Sequence, residues 1–211
     1  MKVNYSDKSH NKNSRCSSER NIGNCFLIWI IMLLSGIALK IAYADIAGHN
    51  PTLKGIIIIA EFAYIGIYVF GVFIKLGKFN ESFIESGILF AISEILRIVT
   101  RDLTFDDDMA NGVLSIILAL VQTRMYYCVC VGNSALTHDN VKLSSKWHAL
   151  GKWWKICGIG LFLGFIGLII PFLRTIILFG LLILLIVIVI LLICHLIFLC
   201  MTAAHFIKKE K

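Results

Sequence analysis

The segment Ile176–Cys194 reads IILFGLLILLIVIVILLIC, nineteen residues without one polar side chain. A helix needs about 20 mostly apolar residues to cross a hydrocarbon layer roughly 30 Å thick. Lipid offers no water to the backbone, so such a segment satisfies its amides internally, as a helix. The rest of the chain matches it. Of 211 residues, 58% are hydrophobic and only 16% charged, with a mean hydropathy of +0.85. Soluble domains are about half apolar and about a quarter charged. This balance excludes an ordinary soluble enzyme, a disordered chain and a disulfide-rich secreted module.

Five more windows are long and apolar enough to span. The six lie at about 25–44, 53–74, 83–100, 111–132, 156–173 and 176–201. The third is the most polar, with Glu85, Ser86, Ser93, Glu94 and Arg97 inside it. The expected fold class is therefore all-α: a polytopic helical membrane bundle of six transmembrane helices, with five as the alternative. Residues 1–24, rich in Asn, Ser and Lys, read as a disordered cytoplasmic tail. Residues 25–207 form a single transmembrane domain, and 208–211 a basic cytoplasmic tail. The first span also has a signal-peptide alternative. Ala42-Tyr43-Ala44 has the small-x-small form of a cleavage site, although Lys40 interrupts the approach to it.

Basic residues orient the bundle, because loops on the cytoplasmic side are enriched in Lys and Arg. With both termini in the cytoplasm, fourteen of the 20 basic residues fall on that side. Lys40, Lys54, Arg97, Arg101 and Arg174 fall outside, and Arg124 lies within the fourth span. The net charge of +7 is thus a topology signal spread over four segments, and nucleic acid is not an expected partner. All seven cysteines fall in or near the cytoplasmic half, where thiols stay reduced, so no disulfide is expected.

Five features bear on function. In the second span Glu61, Tyr64, Tyr68 and Lys75 recur at helical spacing on one face. Glu61 sits roughly 12 Å, and Glu94 of the third span roughly 9 Å, below the same membrane edge. Arg97 and Arg101 follow Glu94 at i+3 and i+7. A charge at the bilayer centre costs about 3 kcal/mol or more, so such groups face the bundle interior or water. Glu61, Tyr64, Glu94 and Arg97 are the candidate substrate or ion site, and an ion-paired seam between helices is the competing reading.

Residues 141–155 carry Leu143, Trp147, Leu150 and Trp154 on one apolar stripe, with lysines elsewhere. This reads as a short interfacial amphipathic helix before the fifth span. Lys142, Lys146, Trp147, Lys152, Trp153, Trp154 and Lys155 would meet anionic headgroups of the inner leaflet. Gly160, Gly164 and Gly167, with Pro171, form a small-residue stripe suited to helix packing, on the sixth span or on a second copy. Asp106-Asp107-Asp108 reads as a cap for the fourth span. Cys194, His195, Cys200 and His205 lack paired-ligand spacing, and no metal or other cofactor is expected.

No phosphate loop, GxSxG elbow or HExxH is present. The expectation is a non-enzymatic membrane subunit, scaffold or protective factor acting through helix packing and a basic inner face. Its partners would be membrane lipids, and a homo-oligomer or other membrane proteins. The alternative is a small transporter or channel with an outward-facing pocket at Glu61, Glu94 and Arg97. An intramembrane enzyme has only the Glu61–Glu94 pair in its favour.

Overall fold

The computed structural model describes residues 6–46, 51–101, 108–168, 170, 172 and 174–209. Six helices account for nearly all of them. They are α1 (Ser6–Ile46), α2 (Pro51–Tyr68, continued by a π-helical turn Val69–Phe73 and a last turn Ile74–Gly77), α3 (Ser82–Thr100), α4 (Asp108–Leu136), α5 (Val141–Leu168) and α6 (Arg174–Lys209). Five are long and apolar enough to cross a membrane: α1, α2, α4, α5 and α6. The protein is an all-α helical membrane bundle. Helix α3, 19 residues long, carries Glu85, Glu94 and Arg97 and so falls outside that set. It nonetheless lies antiparallel along α2, as Gly87 meets Phe73 and Arg101 meets Glu61.

Consecutive helices pack on one another, and α6 returns to pack on α1. Phe26 stacks on Phe206 at 6.0 Å where the two meet. We call that end of the bundle proximal, and the end holding Lys40 and Arg101 distal. The proximal half holds the aromatic core. Trp29 contacts Phe73 edge-on at 5.2 Å and Phe83 at 6.1 Å, and Tyr68 meets Phe90 at 4.4 Å. Large exposed apolar side chains run along α6 from Ile176 to Ile197, the surface that lipid solvates.

The π-helical turn explains one departure from the expected pattern. A wider turn shifts the register of every later side chain. Tyr68, Val72, Phe73 and Leu76 are buried, whereas Lys75, expected on the face of Glu61, is exposed. Two other expectations are revised. Helix α1 starts at Ser6, well inside the stretch read as a disordered tail. And residues 141–155 are not a separate interfacial helix, but the first half of the single helix α5. Leu143, Trp147, Leu150 and Trp154 are buried, and their stripe continues unbroken into Cys157 and Leu161. A continuous buried stripe with no breaker makes one helix. Trp147 and Trp154 therefore belong to the core, while Lys142, Lys146, Lys152, Trp153 and Lys155 stay exposed.

The glycine stripe of α5 faces α6. A methyl placed on Gly160 would lie 3.4 Å from Leu184, and one on Gly164 would lie 2.7 Å from Leu181. One on Gly167 would collide with Ile177. Pro171, Asp106 and Asp107 lie outside the described residues, as does the Asp108 side chain, so the expected cap does too. A less yielding contact lies between α2 and α3. A Cβ on Gly87 would sit 2.7 Å from Cβ and 3.1 Å from Cγ of Phe73, and no rotamer change moves that Cβ. Gly87→Ala is expected to destabilise the protein by about 1–3 kcal/mol through overpacking. Thermal unfolding in mild detergent checks this, and an unchanged midpoint would contradict the contact.

Candidate functional site

The charged residues of α2 and α3 converge with two residues of α1. Arg97 donates to Glu94 Oε2 through Nε at 3.0 Å and Nη2 at 2.6 Å. The same Nη2 lies 3.5 Å from Glu61 Oε1. Arg101 Nη1 is 3.0 Å from both oxygens of Glu61. From α1, Lys40 Nζ donates to Glu94 Oε1 at 3.3 Å, and the Tyr43 ring lies 3.1 Å beneath the Arg101 guanidinium. The carboxylates are enclosed, with Glu61 3% and Glu94 8% exposed in their side chains. Five charges on three helices thus form one seam.

The seam is local in origin. The i, i+3 spacing of Glu94 and Arg97 places them on one face of α3, and i+7 adds Arg101. Glu61 meets them because α2 and α3 run antiparallel through a short turn. In that turn Asn80 Oδ1 accepts from the Ser82 amide at 2.9 Å. Of the four expected site residues, Glu61, Glu94 and Arg97 are joined directly. Tyr64 lies beside them, its hydroxyl over Gly36 of α1, where an added Cβ would come within 2.5 Å. Residue spacing missed Lys40 and Tyr43, which are brought in by the crossing of α1 over α2. It also missed the Arg124–Glu85 pair at 2.7 Å, which ties α4 to α3.

Beneath the seam lies a cavity of about 410 Å³. Lys40, Tyr64 and Glu94 line its distal end, and Trp29, Tyr68 and Phe73 its proximal end. Gln122, Tyr126 and His195 contribute polar atoms from α4 and α6. His195 is buried, edge-on to Tyr126 at 5.1 Å and to Trp147 at 5.2 Å, with Nδ1 4.0 Å from Cys130 Sγ. Among the described residues no group of three or more His, Cys, Asp or Glu is placed to hold a metal ion. The six cysteines described, Cys25, Cys128, Cys130, Cys157, Cys194 and Cys200, are free thiols.

A second polar set fastens the proximal end. Asn140 Oδ1 caps α5 by accepting from the Leu143 amide at 3.2 Å. Ser134 and Ser144 join α4 to α5, and Trp147 Nε1 donates to Thr202 Oγ1 at 2.9 Å. Asp139, in the loop before α5, pairs with Lys209 and lies 3.4 Å from His205. Partial burial pushes its carboxyl up, but the hydrogen bond and charge of Lys209, with His205, outweigh this and hold it below the ordinary carboxylate value. A depressed carboxylate stabilises the fold above its unfolded value of about 3.9 and loses that contribution as pH falls through its lower folded value. Asp139→Asn should lower thermal stability at neutral pH, and the difference from wild type should shrink as pH falls below about 4 and vanish once the folded-state carboxyl is protonated. A difference that persists there would exclude the charge as its source.

Comparison with known proteins returns no match. No protein-family model, no curated protein and no solved structure corresponds to this chain.

Proposed function

We propose that this multispanning membrane protein is non-enzymatic and works as a subunit or scaffold through helix packing and a basic surface at its proximal end. The pairing and enclosure of Glu61 and Glu94 carries this reading. For transport at that depth a carboxylate would have to face a water-filled path at some stage. Here both carboxylates are held by guanidinium groups of α3 and serve to join three helices. The aromatic packing around Trp29 gives the cavity a closed proximal end, which also speaks against a through-path.

The exposed Lys142, Lys146, Lys152 and Lys155, with Trp153 beside them, suit anionic headgroups of the inner leaflet. On this reading both termini lie in the cytoplasm. A membrane-impermeant thiol reagent applied to intact cells should then label none of the cysteines. Labelling of Cys200, which is exposed near the proximal end, would reverse the orientation.

The transport alternative uses Glu61, Tyr64, Glu94 and Arg97, and one experiment separates the two. The protein and its Glu61→Gln/Glu94→Gln variant are reconstituted into proteoliposomes and assayed for proton and cation flux. A scaffold shows no flux above empty vesicles in either form. A flux present in the wild type and lost in a folded double variant would establish transport.

A further inference from the structure

The geometry points to the cavity beneath the seam as a binding site for a single acyl chain with an anionic head, taken up sideways from the bilayer. Four observations carry it: length, walls, entrance and the polar group at one end.

Length comes from α1, which lines the cavity from Trp29 to Lys40. Eleven residues at about 1.5 Å each span roughly 16 Å. One leaflet of a hydrocarbon core about 30 Å thick is roughly 15 Å deep. The cavity is thus as long as the chains of one leaflet. Its volume of about 410 Å³ falls in the usual ligand-pocket range of roughly 300–1,000 Å³.

The walls are chiefly aliphatic and aromatic, and the proximal end is closed by Trp29, Tyr68, Phe73 and Phe90, which touch one another. A chain lying in the cavity with its head at the distal end would end against these rings. The entrance lies between α1 and α6. Leu34 and Ile37 on one side, and Leu192 and Leu196 on the other, line the cavity and are also exposed on the bundle surface. The two helices are clamped at their proximal ends, where Phe26 meets Phe206 and Gly23 meets Ile207. In a membrane this gap faces lipid, so the ligand must be soluble there.

The head group follows from Lys40. Its side chain is 46% exposed and lies at the distal end of the cavity, with Glu94 Oε1 at 3.3 Å as its partner. An ammonium carries three donors, so a carboxylate or phosphate oxygen can join Glu94 on the same nitrogen. The seam residues Lys40, Arg97 and Arg101 carry three positive charges against two on Glu61 and Glu94, which favours an anion over a cation there.

The chemistry is shared by a free fatty acid and by one chain of an anionic phospholipid. The test uses both, as diazirine-bearing palmitate and diazirine-bearing phosphatidylglycerol. Each is added to the full-length protein in phosphatidylcholine vesicles, and the labelled peptides are mapped after ultraviolet exposure. Labelling is expected to concentrate on α1 around Leu33–Ile37 and on α6 around Leu192–Leu196. Whichever probe labels there names the source. Lys40→Ala should weaken saturation of that labelling about tenfold, the usual weight of a charged hydrogen bond, and Lys40→Arg should restore it. A palmitate methyl ester probe should behave like the acid on Lys40→Ala, which serves where a variant expresses poorly. Labelling spread evenly over all lipid-facing helices, or strong labelling indifferent to Lys40 and to the ester, would overturn the assignment.

Discussion

Glu61→Gln is expected to destabilise the protein by about 3–5 kcal/mol, the usual result of removing one partner from a buried ion pair. Glutamine keeps the shape of the side chain, so the effect is one of charge. The Glu61 carboxylate accepts Arg101 on both oxygens and lies 3.5 Å from Arg97. Without it, Arg101 would retain the Tyr43 ring, but its Nε and Nη2 already lack a hydrogen-bond partner among the described residues. The molecule would hold a desolvated guanidinium facing a neutral amide. Thermal unfolding in mild detergent, followed with a thiol-reactive dye that reports the buried cysteines, measures the loss. Glu85→Gln is the control. Its pair with Arg124 is about half exposed, and pairs of that kind contribute about 0–1 kcal/mol. Adding Arg101→Met to Glu61→Gln should recover part of the loss, because both charges then leave together. Equal effects of Glu61→Gln and Glu85→Gln would mean that the seam is not desolvated.

Trp147→Ala should cost a similar amount, about 3–5 kcal/mol, while Trp153→Ala, six residues on, should stay within about 0.5 kcal/mol. The contrast separates two readings of one sequence stripe. If residues 141–155 lay in the headgroup layer, both tryptophans would be half immersed and both changes mild. In the bundle Trp147 is fully buried and Trp153 is 53% exposed. Trp147 packs edge-on against His195 and Phe198, and its indole donates to Thr202. Trp147→Phe keeps most of the packing and loses that hydrogen bond, so its cost should be smaller, about 1 kcal/mol from the bond plus the lost ring area. Comparable midpoints for Trp147→Ala and Trp153→Ala would restore the interfacial reading.

Much of the architecture is written in local pattern. The apolar run from Ile176 and the windows like it place α1, α2, α4, α5 and α6, because lipid leaves the backbone one conformation, while the sixth expected span, the polar window 83–100, forms α3 outside that apolar set. The spacing of Glu94, Arg97 and Arg101 fixes them on one face of α3, and antiparallel neighbours bring Glu61 within reach. The glycines of α5 mark its contact with α6. These follow from helical periodicity, which depends only on residues a few places apart.

Tertiary structure decided the rest. The partners of Glu94 and Arg101 on α1, Lys40 and Tyr43, depend on where α1 crosses α2, which no spacing encodes. The π-helical turn at 69–73 moves Lys75 off the face of Glu61, an insertion that a regular 3.6-residue period cannot anticipate. Whether the stripe of Leu143, Trp147, Leu150 and Trp154 meets headgroups or a neighbouring helix is equally undetermined by amphipathicity, since both environments reward the same apolar face. Composition and spacing alone put this chain in lipid as a helical bundle with charges at a costly depth. The packing of the helices pairs those charges with one another and leaves a chain-length cavity beneath them.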